Sequence, residues 1–315
     1  MDANPDKILS SDSLTSRWPE VIVITGPTAS GKSALAIEVA TELKAHIISA
    51  DSRQIYRGMP ITTAVPTLEE RSRVPHHLIE FLDPSDYYSA AAFRSDAMHL
   101  IEEAARRGDK YVVVCGGSMM YIDALLYGLD ELPTVSAQVR ERVKNMYADL
   151  GLEGLCAYLG YLSPGYEESV DVENPRRVMH ALELCLQSGC TLQQLMNESE
   201  SCCAPFSFRK YALLWTREEL FARINRRVEE MLAVGMEDEA RKHYPRRHLN
   251  SLNTIGFKEW FAFFEGKMSR SDTVSRIAKN TRVYAKKQLT WLGRRNDTVF
   301  LRPSMALRAI VSTYS

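Results

Sequence analysis

Short runs of β-branched and aromatic residues recur at Val21–Ile24, His46–Ser49, Tyr111–Cys115, Tyr211–Trp215 and Thr298–Leu301. Runs of this length and composition predict strands buried on both faces. Longer stretches with helical spacing separate them: Ser33–Leu43, Ser89–Arg106 and Arg217–Val234. In the last of these, Leu220, Phe221, Ile224, Val228, Met231 and Leu232 fall on one stripe, and Gly235 supplies the stop. Strands alternating with helices predict an α/β fold with a parallel sheet flanked by helices.

Between the third and fourth runs, roughly Thr134 to Pro205, no strand pattern appears. The segment reads as helices broken at Gly151, Pro164–Gly165 and Gly189. A crossover needs only a dozen or so residues, so residues 134–205 are expected to be an inserted helical subdomain. The expected organisation is a polar leader over 1–19, an α/β core over 20–133 and 206–302, and a tail over 303–315.

Composition narrows the class. The 315 residues are 45% hydrophobic and 25% charged, ordinary for a globular chain of one or two domains. No apolar run approaches the ~20 residues of a membrane span, and the leader lacks the apolar centre of a signal peptide. Cys115, Cys156, Cys185, Cys190, Cys202 and Cys203 form no CxxC pairs, which predicts free thiols in a reducing cytoplasm. The net charge of −1 says nothing of nucleic acid, so any basic surface must be local. One exists: from Lys267 to Arg302, ten Lys or Arg face only Asp272 and Asp297, a local phosphate footprint in a neutral chain. Tyr284 and Trp291 lie within it and are candidates to stack on bases.

Gly26-Pro27-Thr28-Ala29-Ser30-Gly31-Lys32-Ser33 fits G-x-x-x-x-G-K-[ST] between a predicted strand and a predicted helix. Such a loop turns backbone N–H groups inward as an anion nest, backed by the helix N-terminus. Lys32 would reach the outer phosphate and the Ser33 hydroxyl would ligate Mg²⁺. The loop identifies phosphate binding of the nucleotide- or ATP-binding type, not a reaction. The run Tyr111–Cys115 ends in Gly116-Gly117-Ser118 with no carboxylate, which disfavours a motor-type ATPase and leaves group-transfer enzymes. Asp51 follows the second strand, at the sheet end where α/β folds hold ligands. It is a candidate general base, although an Asp there is equally a turn former.

The phosphate loop and Ser49-Ala50-Asp51-Ser52-Arg53-Gln54-Ile55-Tyr56 are followed by His76-His77-Leu78-Ile79-Glu80-Phe81-Leu82-Asp83-Pro84 and Tyr88-Ser89-Ala90-Ala91. Further on come Gly116-Gly117-Ser118-Met119-Met120-Tyr121, Asn174-Pro175-Arg176-Arg177 with Ala181-Leu182-Glu183, Ile255-Gly256-Phe257-Lys258-Glu259 and Thr281-Arg282-Val283-Tyr284-Ala285-Lys286-Lys287-Gln288. In this order the chain resembles the tRNA dimethylallyltransferases, also called tRNA isopentenyltransferases, from about residue 21 to 295, in their compact bacterial form. The resemblance implies a P-loop NTPase-like core and transfer of a dimethylallyl group from its diphosphate to the exocyclic N6 amine of an adenosine. That adenosine lies immediately 3′ of the anticodon, in tRNAs reading codons that begin with U.

The implied loop ligand is then a diphosphate leaving group, with Mg²⁺ on Ser33. The resemblance makes Asp51 the base, with Ser118 beside it and Arg223 as a second cation for the diphosphate. It implies contacts to the tRNA anticodon stem-loop from Asp51, Ser52, Arg53, Gln54, Ser118, Arg140, Arg176, Arg177, His180, Asn253, Gly256, Phe257, Lys258, Asn280, Arg282, Lys286 and Lys287. A monomer is expected. Ser118 replaces a more frequent Thr and keeps its hydroxyl. Val65 stands where the family often has Lys, and His180 where Arg is common; no role is assigned to Val65. His76 and His77 are expected to be structural. Three rivals stay open: prenylation of free adenine nucleotides, a small-molecule kinase, and a non-catalytic RNA-binding module. The insert and basic segment argue against the first, the residues after 200 that it leaves without a purpose against the second, and intact Lys32, Ser33 and Asp51 against the third.

Overall fold

A computed structural model of the chain describes residues 18–128, 133, 135–198, 204–294 and 296–314. Most of the expected leader, together with Cys202, Cys203, Thr134 and Arg295, lies outside the described residues. The strands are β1 (Glu20–Thr25), β2 (His46–Ser49), β3 (His76–His77), β4 (Tyr111–Gly116), β5 (Phe208–Leu213) and β6 (Thr298–Leu301). They form one parallel sheet in the order β3-β2-β4-β1-β5-β6. Val21, Ile22, Val23 and Ile24 of the central β1 are fully buried, and each such side chain contributes about 1.5–3 kcal/mol relative to exposure. Because every strand runs the same way, the segments after Thr25, Ser49 and Gly116 leave the sheet at one end, where Thr25 pairs with Gly116 and Ser49 with Cys115.

The helices that matter for the site are α1 (Lys32–Leu43), α2 (Ala90–Arg107), α3 (Met119–Tyr127), α4 (Ala137–Leu162), α5 (Pro175–Ser188), α6 (Arg217–Ala233), α7 (Phe257–Phe264), α8 (Arg270–Leu292) and α9 (Pro303–Tyr314). Capping chemistry sets their starts. The Ser89 hydroxyl accepts from the Ala92 N–H at the head of α2, and Thr216 and Glu219 form a reciprocal capping box on α6. Leu220, Ile224 and Val228 of the α6 stripe are buried. Gly235, at φ 101°, ends that stretch and starts the short helix Met236–His243.

The chain forms two compact units, Met1–Leu126 with Ala204–Ser315, and Tyr127–Cys203. The second has its own apolar core, including Val143, Leu155, Leu159, Val178 and Leu182. Within α4 the backbone leaves helical geometry at Gly151 (φ 66°, ψ −170°), and Gly189 closes α5 in the left-handed region.

Three expectations need correction. Residues 303–315 are not a tail: Pro303–Tyr314 is a helix whose Ala306 and Ile310 are fully buried in the core shared with α1. The fifth strand spans Phe208–Leu213, three residues earlier than expected at its start, because Phe208 to Ala212 pair with Val21 to Thr25 of β1. Trp291 is no stacking platform for bases. It is buried, its indole N–H donates to Asp123 Oδ2 at 2.7 Å, and the Lys210 ammonium lies 5.2 Å from its ring centre. Lys210, itself buried, pairs with Asp297 at 2.8 Å, so this aromatic ties β5 to the end of α8. The short strand β3 falls outside the expected set, since two residues carry no periodic signal.

Among the described residues Cys115, Cys156, Cys185 and Cys190 are free thiols, and no helix is long and apolar enough to cross a membrane.

Candidate active site

The phosphate loop owes its shape to three left-handed residues, Gly26 (φ 143°), Ala29 (φ 62°) and Gly31 (φ 95°). Its carbonyls are tied outward. Ala29 O accepts from Arg223 Nε at 2.8 Å and Ser30 O from Trp215 Nε1 at 2.9 Å, while the Arg223 guanidinium lies 4.3 Å from the Trp215 ring centre. With these carbonyls held on the outside, the loop's N–H groups are left to line the inside, apart from those of Thr28 and Ser30, which donate to Gln288 Oε1 at 2.9 Å and to Pro27 O at 3.3 Å. Gly31 caps α1 without a side chain, and the first turn of α1 holds no acidic residue. The orphan N–H groups of this helix start therefore have no internal anion. The buried Ser30 hydroxyl also has no partner. Such a cradle suits a phosphate group.

Next to it opens a cleft of about 530 Å³. Thr28, Lys32, Ser33, Asp51, Ser52, Arg53, Gln54, Ser118, Asn253, Lys258 and Lys287 all line it, so eleven residues singled out from the sequence converge there. Desolvation holds the Lys32 ammonium below its ordinary pKa, and the nearby Arg227 pushes the same way. Asp51 has two roles at once. Its Oδ1 accepts from the N–H groups of Arg53 (2.9 Å) and Gln54 (3.3 Å), making the turn, and its carboxylate still lines the cleft. Ser118 is set by its N–H to Ala50 O, 3.2 Å, at the start of α3. The Ser33 hydroxyl and the Asp51 carboxylate offer hard oxygen donors in one cleft. That set fits Mg²⁺, which keeps most of its shell from water and substrate phosphates. No group of three or more His, Cys, Asp or Glu among the described residues forms a dedicated metal cage.

Gln54 lines the cleft, but its side chain is committed. It accepts from Ser49 Oγ and donates to Thr63 O and Ala64 O. The Glu239 carboxylate holds the same segment through the N–H groups of Ile61 and Thr62.

The remaining predicted residues separate. Arg223 does not line the cleft; it braces the loop from behind. Phe257 is corrected from an RNA contact to a core residue: it is 0% exposed and stacks on Phe261. Gly256 is buried too, its N–H given to Glu259 Oε2 at 2.7 Å. Lys286 is exposed on α8, and Arg282 beside it donates to Asn225 at 2.7 Å. Arg140 lies on α4 of the second unit; Arg176, Arg177 and His180 are exposed on α5 of the same unit. Arg177 pairs with Asp171 and His180 with Glu183.

Asn280, among the contacts the resemblance implies, also lines the cleft, and so do Arg227 and Gln288, which sequence reasoning missed. Burial lowers the Arg227 pKa, and Asp51 and Glu230 oppose that shift; a guanidinium stays charged there. Its signal was the four-residue step from Arg223 on one helix face. Asn280 and Gln288 sit at four-residue steps from Tyr284 on α8, and Tyr284 lines the cleft with its phenol pushed up to about 12 by burial.

Residues 54–296 match the family model described as IPP transferase. Over 283 residues the chain is 43% identical to tRNA dimethylallyltransferase 1 of Phocaeicola vulgatus, covering 90% of this chain and 94% of that one. The fold is similar to the crystal structure of the full-length tRNA isopentenylpyrophosphate transferase from Bacillus halodurans, with a TM-score of 0.69 and 31% identity over 94% of this chain and 95% of that one. It is also similar to a eukaryotic dimethylallyltransferase seen in crystallographic snapshots acting on tRNA. That TM-score is 0.81, at 27% identity over 94% of this chain and 79% of the other.

Proposed function

The chain belongs to the IPP transferase family, and from that premise we infer that it is a tRNA dimethylallyltransferase. It transfers a dimethylallyl group from dimethylallyl diphosphate to the N6 amine of the adenosine immediately 3′ of the anticodon, in tRNAs reading codons that begin with U. One observation carries the reading: an uncapped helix start with an anion cradle opens beside the cleft that holds Asp51, Ser118 and Lys32.

The chemistry follows from the charges. The allylic C–O bond breaks and its electron pair leaves on diphosphate, while the adenine nitrogen forms the new C–N bond. Negative charge builds on the diphosphate oxygens, next to the loop N–H groups, Lys32 and Arg227. Donors preset around developing charge are the strongest electrostatic lever an active site has. Arg223 serves the same end indirectly, by holding the Ala29 carbonyl away from the anion. When bound, Mg²⁺ on Ser33 adds further positive charge at the leaving diphosphate. The exocyclic amine is a weak nucleophile because its lone pair is delocalised into the ring. The Asp51 carboxylate takes its proton as the C–N bond forms, and the Ser118 hydroxyl is within the same cleft to orient the base. The target base must leave its stack to enter the cleft, with the Tyr284 ring as part of the wall.

On the RNA side, Asn253 and Lys258 at the cleft, and Arg282, Lys286 and Lys287 on α8, would meet the anticodon stem-loop. Arg140, Arg176, Arg177 and His180 would do so from the helical unit. We read the protein as a cytoplasmic monomer.

The test is one incubation with unmodified tRNA, dimethylallyl diphosphate and Mg²⁺, followed by digestion and mass measurement of the nucleosides. A dimethylallyl mass on one adenosine is expected, lost with chelator and absent when free adenine nucleotide replaces tRNA. No added mass would overturn the assignment.

A further inference from the structure

Gln288 is 2% exposed near the end of α8, the helix that carries the exposed Arg276, Lys279 and Lys286, with Lys287 exposed at the cleft. Its carboxamide spans two loops. The oxygen accepts from the Thr28 N–H of the phosphate loop at 2.9 Å, and the nitrogen donates to Gly117 O at 2.8 Å. A donor faces one side and an acceptor the other, and the carboxamide in this orientation satisfies both. The turn at Gly117 is shaped to the same contact: a Cβ there would lie 2.4 Å from Gln288 Nε2. Thr28 belongs to the cradle for the leaving group, and Gly117 directly precedes Ser118, whose N–H is anchored beside Asp51. One side chain of the basic helix therefore holds both halves of the reaction centre.

We propose that Gln288 is a positioning residue that couples RNA engagement on α8 to the shape of the phosphate loop, so that RNA and diphosphate each tighten the binding of the other. The proposal rests on the transferase reading above. Coupling of this kind is reciprocal: whatever factor RNA adds to diphosphate affinity, diphosphate adds to RNA affinity. The physical element is the pair of hydrogen bonds. A small displacement of α8 by phosphate contacts at Lys286 and Lys287 moves the carboxamide, and the carboxamide moves Thr28 and Gly117 together.

The experiment measures binding of inorganic diphosphate with Mg²⁺ to the full chain, with and without an unmodified anticodon stem-loop RNA. The native protein should bind diphosphate at least roughly fivefold more tightly with RNA present, within the usual range of coupling. In Gln288→Met that factor should fall to about one, with RNA affinity in the absence of diphosphate changed by no more than about twofold. Gly117→Ala pushes the carboxamide away without removing it. It should lose the coupling equally, and the double variant should lose nothing further, the non-additivity of a shared contact. This second variant keeps the test open if Gln288→Met does not fold. A glutamine that only packs would lower the unfolding temperature and leave the coupling factor native. That result, or a native protein that binds both ligands without coupling, overturns the proposal while the transferase reading stands. A native protein that binds neither ligand overturns both.

Discussion

Asp51 shows how one carboxylate serves structure and chemistry together. Its Oδ1 takes two backbone N–H groups and forms the turn after β2, so substitution risks confusing loss of base with loss of shape. Asparagine separates them, because its side-chain oxygen can keep both contacts while the amide cannot accept a proton. Asp51→Asn should lower kcat by about 10²–10⁴-fold, the usual contribution of a positioned general base, with the Kd for tRNA and the unfolding temperature close to native. Unchanged turnover in a single-turnover assay would remove Asp51 from the chemistry. Two arginines of α6, Arg223 and Arg227, make a parallel point. The resemblance implies Arg223 as the second cation, but its Nε is given to Ala29 O and its face to Trp215. Arg227, one turn on, is the α6 cation that lines the cleft. Spacing alone places both on one face; which of them braces and which points inward depends on Trp215, eight residues before Arg223 in the loop that leads into α6.

At the scale of elements, α8 is the clearest case of a helix with divided duties. Ile277, Ala285, Gln288 and Trp291 are buried while Arg276, Lys279, Lys286 and Lys287 are exposed. The charge run was legible in the sequence because it was dense and one-signed. The inward face was less so, since Gln288 resembles an ordinary surface residue until its partners Thr28 and Gly117 are known. Phe257 errs in the opposite direction: it stands inside a family-like motif, yet it packs on Phe261 and leaves contact duties to neighbouring Lys258. Replacing Lys286 and Lys287 together by Ala should weaken tRNA binding and flatten its dependence on log salt by roughly 0.7–0.9 per lysine that meets a phosphate. A slope identical to native, by filter binding across a salt series, would make α8 a solvated face. The sheet edge carries a pH signature. His77 of β3 stacks on His46, with Nε2 and Nδ1 3.1 Å apart, a contact that holds one proton and not two. Desolvation lowers the His77 pKa, with His46 and Arg107 adding to it, and desolvation lowers that of His76. The unfolded chain therefore binds more protons just below the ordinary histidine value of 6.5, and stability should fall as pH drops from there through the lower folded values. His77→Phe keeps the stack and removes one titrating ring, so its unfolding temperature should decline less steeply from pH 7 to 5. An equal slope would place the acid sensitivity elsewhere.

On the scale of the whole molecule, the sheet brings residues from Gly26 to Gln288 to one end, and the last helix helps to keep that end in place from behind. α9 packs Ala306 and Ile310 into the cluster formed by Leu35, Ala36, Ile37 and Val39 of α1. Tyr314 closes it, accepting from the Tyr111 hydroxyl through its carbonyl at 2.8 Å and meeting the Tyr211 hydroxyl at 3.3 Å. The family-like motifs end before this point, and a short amphipathic stretch at the end of a chain looks like a tail until a groove is found for it. Since α1 starts at the phosphate loop, weakening α9 has two conceivable outcomes. It could loosen the loop, or it could lower stability alone. The contacts favour the second, because the loop is held from its own side by Arg223, Trp215 and Gln288. Of these three, only Trp215 packs against the cluster that α9 joins. Ile310→Ala should therefore cost about 2–5 kcal/mol, as for other fully buried truncations. At roughly 2–4 °C per kcal/mol for a unit of this size, the unfolding temperature should drop by several degrees or more. Diphosphate affinity and kcat at 25 °C should stay native. If calorimetry showed little change in stability while diphosphate binding fell, α9 would be acting on the loop through α1, and Arg223, Trp215 and Gln288 would not suffice to brace it.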